Sequence, residues 1–364
     1  MNKTSFYFSV NTQFENLGDA LINRELILEA SKYGQACVDV SRCPDSFVTT
    51  IGLNSAMFPK NIAVFKGLLL LILKIVKSRS KGEKVFYFLN PGGLGKPRSN
   101  KQRISAIVYN MLLLFYVVIG VKVCHVGISH EKSGYIDLLI SKMRAKLTSY
   151  LYVRDKGSFK YLNENGFGVK GVYPDLAFYL YGNEKKASSE RAKIGFSFRF
   201  DGRNISSKDS SKSFILSVFD RYKDQKKYAF ISQVKRDDSH MHELAAWFLI
   251  NTGCEAEVVC CSDDIDFMVS LYSDCDTVYS NRLHVLLLSS SSGSVPMAVI
   301  DLELNKKVSD LYLDIGLKEL IIDLNSPETY SLRGGEAALL DSSRKTQYLD
   351  LKNMFPEIIS IEPS

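Results

Sequence analysis

The chain has 364 residues, 46% hydrophobic and 24% charged, with a formal net charge of +6. This is ordinary globular usage in a chain long enough for two hydrophobic cores. The charge is too small to argue for nucleic-acid binding without a patterned basic face, and it suits anionic small molecules or an anionic membrane surface. Seven cysteines (Cys37, Cys43, Cys124, Cys254, Cys260, Cys261 and Cys275) form no CxxC pair, which points to reduced thiols, a cytoplasmic setting and no zinc site.

In chain order, residues 6–10 read as a first strand, and the apolar run there is too short for a secretory segment. A polar loop follows, then Asp19 opens a helix with Ile22, Leu26, Ile27, Ala30 and Tyr33 on one face and Gly34 as its closing C′ glycine. After a strand at 36–40, a helix is expected over 60–77. Its apolar run at 67–73 is flanked by Lys60, Lys66, Lys74, Lys77, Arg79 and Lys81. Two readings stay open for it: a core helix, or a basic amphipathic helix lying on anionic lipid. Residues 85–89 form a buried strand that runs into Pro91-Gly92-Gly93-Leu94-Gly95. The stretch 105–120, apolar except for Asn110, is expected as a buried helix. Both apolar stretches fall short of the ~20 residues a membrane-crossing helix needs.

A strand at 121–126 leads to Gly127-Ile128-Ser129, and a helix follows on Ile136, Leu139, Ile140, Met143 and Leu147. A strand at 150–153 ends in Arg154-Asp155, where Asp155 is placed to cap the next helix. Residues 169–173 lead to Pro174-Asp175. Residues 181–192 lose apolar periodicity and read as a linker. Strands then recur at 193–198, 228–232, 256–259, 277–279, 296–300 and 320–323, with helices between, such as 242–253. The expected fold is α/β, two doubly wound Rossmann-like domains facing a cleft in a GT-B-like layout. The first domain spans 1–180 and is read as the acceptor side; the second spans 193–335 and is read as the donor side. A tail over 336–364 is free to cross back onto the first domain.

Chemistry in such folds collects at strand ends. In Asn16-Leu17-Gly18-Asp19 the glycine permits close backbone approach. The carboxylate of Asp19 can act as a base, bind sugar hydroxyls or cap a helix. The glycines around Gly93 resemble a phosphate cradle but lack Walker or GxGxxG spacing. His125 points from within a strand, as a core histidine or a ligand. Arg154 and Arg199 end strands, Asp175 follows a proline, and Gln233 follows a strand with Asp237 and Asp238 behind it. Arg282 and His284 stand between a strand and a helix-like run. A bidentate anion-binding fork and a proton carrier thus meet the unpaired amides of a helix start. Three strand-end arginines suit a small molecule carrying both phosphate and carboxylate.

Taken in order, Asn16-x-Gly18-Asp19, the glycines at 92–95, Gly127-Ile128-Ser129, Val153-Arg154-Asp155 with Ser158, the run from Asp175 to Phe178, Ser197-Phe198-Arg199, Ser232-Gln233 and Arg282-Leu283-His284 form a familiar set. It resembles the polysaccharide pyruvyl transferase family over residues 6–300. The resemblance implies a GT-B-like fold, phosphoenolpyruvate as donor substrate and a pyruvate ketal on a sugar as product. It implies that Arg154 and Arg282 bind the donor and that His284 is the catalytic acid. The chain departs from the family pattern after Gly127, where Ser129-His130 stands in place of a proline.

A carboxylate should deprotonate the sugar hydroxyls, and Asp19 is the candidate. Arg199, Asn16, Gly18, Gly93, Gln233 and Asp175 are the further substrate-binding candidates, and the scheme needs neither metal nor separate cofactor. Expected partners are phosphoenolpyruvate and a saccharide acceptor, free or lipid-linked, with peripheral contact at the inner face of the plasma membrane and no nucleic acid. Two other readings remain: a GT-B nucleotide-sugar glycosyltransferase, whose donor carboxylate Glu303 can mimic, and a non-catalytic saccharide-binding protein.

Overall fold

Phe6-Tyr7-Phe8 and Phe86-Tyr87-Phe88 pair side by side in register, which sets the pattern of the first sheet. The structure is a computed structural model describing residues 3–360 apart from 54–58, 94–98, 131–132, 182–192, 201–207, 224–225, 263 and 327–335. The chain divides into two units: Met1–Phe14, Leu21–Leu176 and Asp350–Ser364 in the first, Glu15–Ala20 and Ala177–Leu349 in the second. The tail from Asp350 therefore groups with the first unit. The expected linker, Tyr181 excepted, lies outside the described residues.

The first unit carries β1 (Thr4–Ser9), most of α1 (Leu17–Ser31), β2 (Gln35–Asp39), α2 (Asp45–Thr50), β3 (Ile62–Phe65), α3 (Leu68–Ser80) and β4 (Lys84–Phe88). It continues with β5 (Gly92–Gly93), α4 (Asn100–Val118), β6 (Lys122–Ser129), α5 (Tyr135–Lys146), β7 (Tyr150–Val153), α6 (Lys156–Glu164) and β8 (Gly171–Val172). The strands are parallel in the order β3-β2-β1-β4-β6-β7-β8, with β5 paired to β6. A parallel sheet is covered on both faces, which is why its central strands are apolar throughout rather than alternating.

Strand alternation sends the tyrosines of the two paired triplets to one face and the phenylalanines to the other. On the tyrosine face, Tyr7, Tyr87 and Val123 pack with Leu71 and Ile75 of α3 and Leu113 and Tyr116 of α4. On the other face Phe6 and Phe88 meet Phe355, with ring centroids 6.1 and 5.5 Å apart, and Tyr33 stacks on Phe355 at 5.6 Å.

The second unit carries β9 (Lys193–Ser197), α7 (Lys208–Tyr222), β10 (Lys227–Ile231), α8 (Asp238–Thr252), β11 (Ala256–Val259), α9 (Ile265–Ser273) and β12 (Cys275–Ser280). It continues with α10 (Leu283–Ser291), β13 (Val295–Ile300), α11 (Lys306–Asp314), β14 (Ile321–Asp323) and α12 (Glu336–Ser360), the last running on into the tail of the first unit. Its sheet is parallel in the order β11-β10-β9-β12-β13-β14. Each unit thus has a doubly wound order that reverses at a switch point, between β1 and β4 in the first and between β9 and β12 in the second.

Four local expectations change. The helix expected over 60–77 is split: 62–65 form β3, and Gly67, at φ 144°, turns the chain before α3 begins. The stretch 105–120 is helical, as α4, but only Asn110, Leu113 and Tyr116 of that helix are buried, because a helix laid on a sheet spends one stripe on it. Gly34 is no left-handed cap. A Cβ there would lie 2.4 Å from the Thr4 carbonyl oxygen, so the requirement is close backbone approach. The start of α1 is capped by Asn16, whose Oδ1 accepts from the Gly18 N–H at 3.0 Å, rather than by Asp19, which lies in the first turn.

Candidate active site

In the second unit the side chain of Asn281 bridges the switch point. Asn281, just past β12, accepts from the Arg199 N–H at 2.8 Å and donates to the Arg199 carbonyl at 3.0 Å. Its amide extends the sheet across the point where the two strands would diverge. Beneath it, Ser280 Oγ donates to the Ser197 carbonyl at 2.6 Å and accepts from the Arg282 N–H at 2.9 Å. Arg282 then becomes the N-cap of α10, and His284 falls in the first turn of that helix.

The guanidinium of Arg282 is pinned by a hydrogen-bonded ion pair from Nη2 to Oδ2 of Asp237, and both side chains are largely buried. Asp237 sits after β10, at the end of a short 3-10 turn that precedes α8. Beside it Ser232 donates to Asp238, which also accepts from the Cys261 N–H at 3.0 Å. Gln233 is buried, and its Nε2 lies 3.4 Å from the carbonyl of His284.

The segment 15–20 completes this arrangement. Asn16 forms an antiparallel bridge with Val234, and the Leu17 N–H lies 3.5 Å from the Gln233 carbonyl. Asn16 Nδ2 donates to Asp19 Oδ1 at 3.1 Å. Gly18 faces the imidazole of His284 so closely that a Cβ there would fall 2.2 Å from its Cγ and Nδ1. Asn16, Gly18, Asp19, Arg199, Gln233, Arg282 and His284 are thus all carried by the second unit.

The first unit holds the other three candidates. Arg154, just past β7, is buried, with Nη1 2.6 Å from Asp175 Oδ2 and Nη2 3.1 Å from Ser129 Oγ. Gly93 of β5 pairs with Ser129 of β6, while Leu94 and Gly95 lie outside the described residues. Gly127, at φ 65°, marks an irregularity in β6, and a Cβ there would meet the Leu176 side chain at 3.0 Å. The departure at Ser129-His130 is built into this cluster. Ser129 accepts from Arg154, and the His130 N–H donates at 2.9 Å to Ser158 Oγ. Asp155 caps α6, accepting from the Ser158 N–H at 2.6 Å, and the His130 ring stacks on Tyr161 at 4.7 Å.

His125 is a core histidine. It is buried with Nε2 3.1 Å from the Asn90 carbonyl, and burial, aided by the charge of Arg144, pushes its pKa down to about 3. Glu303 is exposed in the turn after β13, 3.5 Å from Lys306. Sequence reasoning did not assign Asn281 a role, nor Asp237 as the partner of Arg282. A signal for the first existed: an Asn stands within two residues of a strand end at Asn90 and again at Asn281. Asn90 donates to the Ser9 carbonyl at 3.0 Å and accepts from the Asn11 N–H at 3.0 Å, bridging β1 and β4 as Asn281 bridges β9 and β12.

Two doubly wound parallel-sheet units, one with an arginine and a histidine at a helix start on the switch point, define a GT-B-like α/β protein. The family model for polysaccharide pyruvyl transferase matches residues 16–301, and the chain belongs to that family. The comparison with curated proteins finds no match.

Among solved structures, Anabaena HepE in complex with UDP and glucose is similar at TM-score 0.57 and 12% identity, over 98% of this chain and 99% of that one. The UDP-GlcNAc 2-epimerase of Methanocaldococcus jannaschii is similar at TM-score 0.53 and 12% identity, over 95% of this chain and 92% of that one. These likenesses establish the fold. Among the described residues, no helix is long and apolar enough to cross a membrane.

Proposed function

We propose that this chain transfers pyruvate from phosphoenolpyruvate to two hydroxyls of one sugar in a surface polysaccharide or its lipid-linked precursor, forming a cyclic ketal. The observation that carries the reading is the pair at the start of α10: Arg282, oriented by Asp237, and His284, against the backbone of Gly18. Arg282 holds the phosphate or carboxylate of the donor, with Arg154 as the second donor arginine.

His284 as imidazolium protonates the methylene carbon, which makes C2 an oxocarbenium-like centre. One hydroxyl attacks C2 and gives its proton to Asp19. The second closes the ring as phosphate departs with the remaining proton, and Asp19 returns the first proton to His284. Helix-start amides and Arg282 stabilise the charge on the leaving phosphate.

The test is calorimetric titration with phosphoenolpyruvate and, separately, with UDP- and GDP-sugars. Phosphoenolpyruvate binding that Arg282→Ala abolishes, and that His284→Ala keeps while losing turnover, is the expected result. Binding of a nucleotide sugar with no response to phosphoenolpyruvate would overturn the reading in favour of a glycosyltransferase. That second reading draws support only from the fold shared with UDP-bound proteins.

A further inference from the structure

The three helices α3, α4 and α5 form one continuous layer of the first unit. Arg79 Nε of α3 donates to the Ile119 carbonyl beyond α4 at 3.0 Å, and Asn110 Nδ2 of α4 donates to the Ile140 carbonyl of α5 at 3.0 Å. Each helix spends one stripe inward, such as Leu71 and Ile75, or Leu113 and Tyr116. Their outer stripes are also apolar. Of the 28 large hydrophobic side chains exposed among the described residues, 17 lie on these three helices, with Leu69 at 71%, Met111 at 66% and Val118 at 75% exposure. Scattered exposed apolar residues are normal, but a layer of them across three adjoining helices marks an interaction surface.

The charge on the same helices has one sign. They hold eight Lys or Arg residues and a single acidic residue, Asp137, which is tied to Arg103 at 2.8 Å. Against a whole-chain excess of +6, this layer carries all of the net positive charge and leaves the rest of the chain near neutral. Lys77, Lys101 and Lys146 are exposed and share helical stripes with the exposed Leu73, Ile104 and Met143, at spacings of three or four residues.

The geometry points to this layer as a docking surface for an anionic lipid bilayer. Apolar side chains enter the boundary between headgroups and acyl chains, while the lysines stay at phosphate level on their apolar stems. A second copy of the chain is the poorer occupant, because a two-fold interface sets this same basic face against itself. The surface goes beyond the donor chemistry above, and its test uses neither donor nor acceptor.

The experiment is flotation of the purified full chain with phosphatidylcholine vesicles, with and without phosphatidylglycerol. Binding is expected only to the anionic vesicles and is expected to fall with salt. The combined variant Lys77→Ala, Lys101→Ala, Lys146→Ala should lower partitioning about 100-fold, from roughly tenfold or less per charge. Leu69→Ser, Met111→Ser and Ile136→Ser together should lower it at least about tenfold, with an unchanged circular-dichroism melt.

No binding, or equal binding to neutral vesicles, overturns the proposal. So does a dimer in sedimentation equilibrium that Met111→Asp dissolves, which assigns the face to a second copy. Because phosphoenolpyruvate titration is read without vesicles, failure here and failure of the pyruvyl-transfer reading are separate results.

Discussion

Gly18 and His284 lie so close that a single added carbon at residue 18 would stand 2.2 Å from the imidazole Cγ and Nδ1. The conformation of Gly18 is within reach of any residue, so the glycine is needed for space and not for φ. Gly18→Ala therefore has to push the ring of His284 aside. A displacement of about 1 Å in a catalytic group costs on the order of 100-fold in turnover. Steady-state kinetics should show kcat down by about that factor while calorimetry shows phosphoenolpyruvate affinity within about threefold of wild type. Normal kcat in Gly18→Ala would remove His284 from the proposed role.

Asp237 orients Arg282 through a buried ion pair. Asp237→Ala strands the guanidinium among buried neighbours and should cost about 3–5 kcal/mol in urea unfolding. Asp237→Asn keeps an acceptor of the same shape but removes the charge, so the fork is held less firmly. Its phosphoenolpyruvate dissociation constant should rise about tenfold, with a smaller stability loss. An unchanged affinity in the Asn variant would mean that Asp237 serves folding alone.

Much of this architecture was legible in the residues. Apolar runs alternating with helical periodicity specify α/β layers. The repeated Phe-Tyr-Phe triplets are buried on both faces, as central parallel strands must be. Arg282 and His284 stand out as candidates by residue type and spacing, and the strand-to-helix turn expected for them is there, at the start of α10.

Other features depend on what a residue meets. The periodicity of 105–120 reports an apolar helix but not how many of its stripes find a partner, so its open outer face could not be read. The grouping of Glu15–Ala20 with the second unit depends on pairing between Asn16 and Val234, 218 positions apart, to which local pattern is blind. Gly34 looked like a helix cap because its reason, the Thr4 carbonyl, belongs to another strand.

Asn90 and Asn281 do the same structural task at the two switch points, each bonding a neighbouring strand end by its amide. Either Asn→Ala change leaves backbone groups short of partners and should cost about 1–3 kcal/mol in denaturant unfolding. Their functional effects should differ. Asn281→Ala releases the backbone of Arg199 and should lower kcat/KM at least about tenfold. Asn90→Ala should leave phosphoenolpyruvate affinity within about twofold. Equal kinetic losses in both would indicate a general loosening of the fold.

His125 makes stability depend on pH in a set direction. Its Nε2 faces a carbonyl, which only accepts, so Nε2 carries a proton, and burial keeps the ring neutral by leaving Nδ1 unprotonated. The folded pKa, pushed down to about 3, lies below the unfolded value of about 6.5. Between those values the unfolded chain binds a proton that the folded chain does not, so stability falls as pH drops through this window and is unaffected above it. The slope approaches about 1.4 kcal/mol per pH unit near the middle of the window. Urea unfolding at pH 7.5 and 5 should show wild type losing about 2 kcal/mol more than His125→Asn, whose amide does not titrate. Parallel losses in the two proteins would show that His125 is already protonated in the fold.

Arg154 and Asp175 form the most enclosed ion pair among the described residues of the first unit, with side chains 2% and 1% exposed. Such a pair can be a strut, a donor site or both, and a double-mutant cycle separates these. Arg154→Ala leaves the Asp175 carboxylate buried without its cation and should cost about 3–5 kcal/mol. Replacing both, Arg154→Met with Asp175→Leu, removes the two charges together and should restore most of that stability, since a buried pair and a packed apolar pair are often close in free energy. If the arginine only braces the fold, the restored protein binds phosphoenolpyruvate as wild type does. If it grips the donor, calorimetry on the restored protein shows affinity weaker by at least about tenfold, because no arrangement of Met and Leu replaces a guanidinium fork. The stable double variant thus reads the chemistry of Arg154 free of its structural cost. Wild-type affinity in that protein would leave Arg282 as the arginine on which donor binding rests.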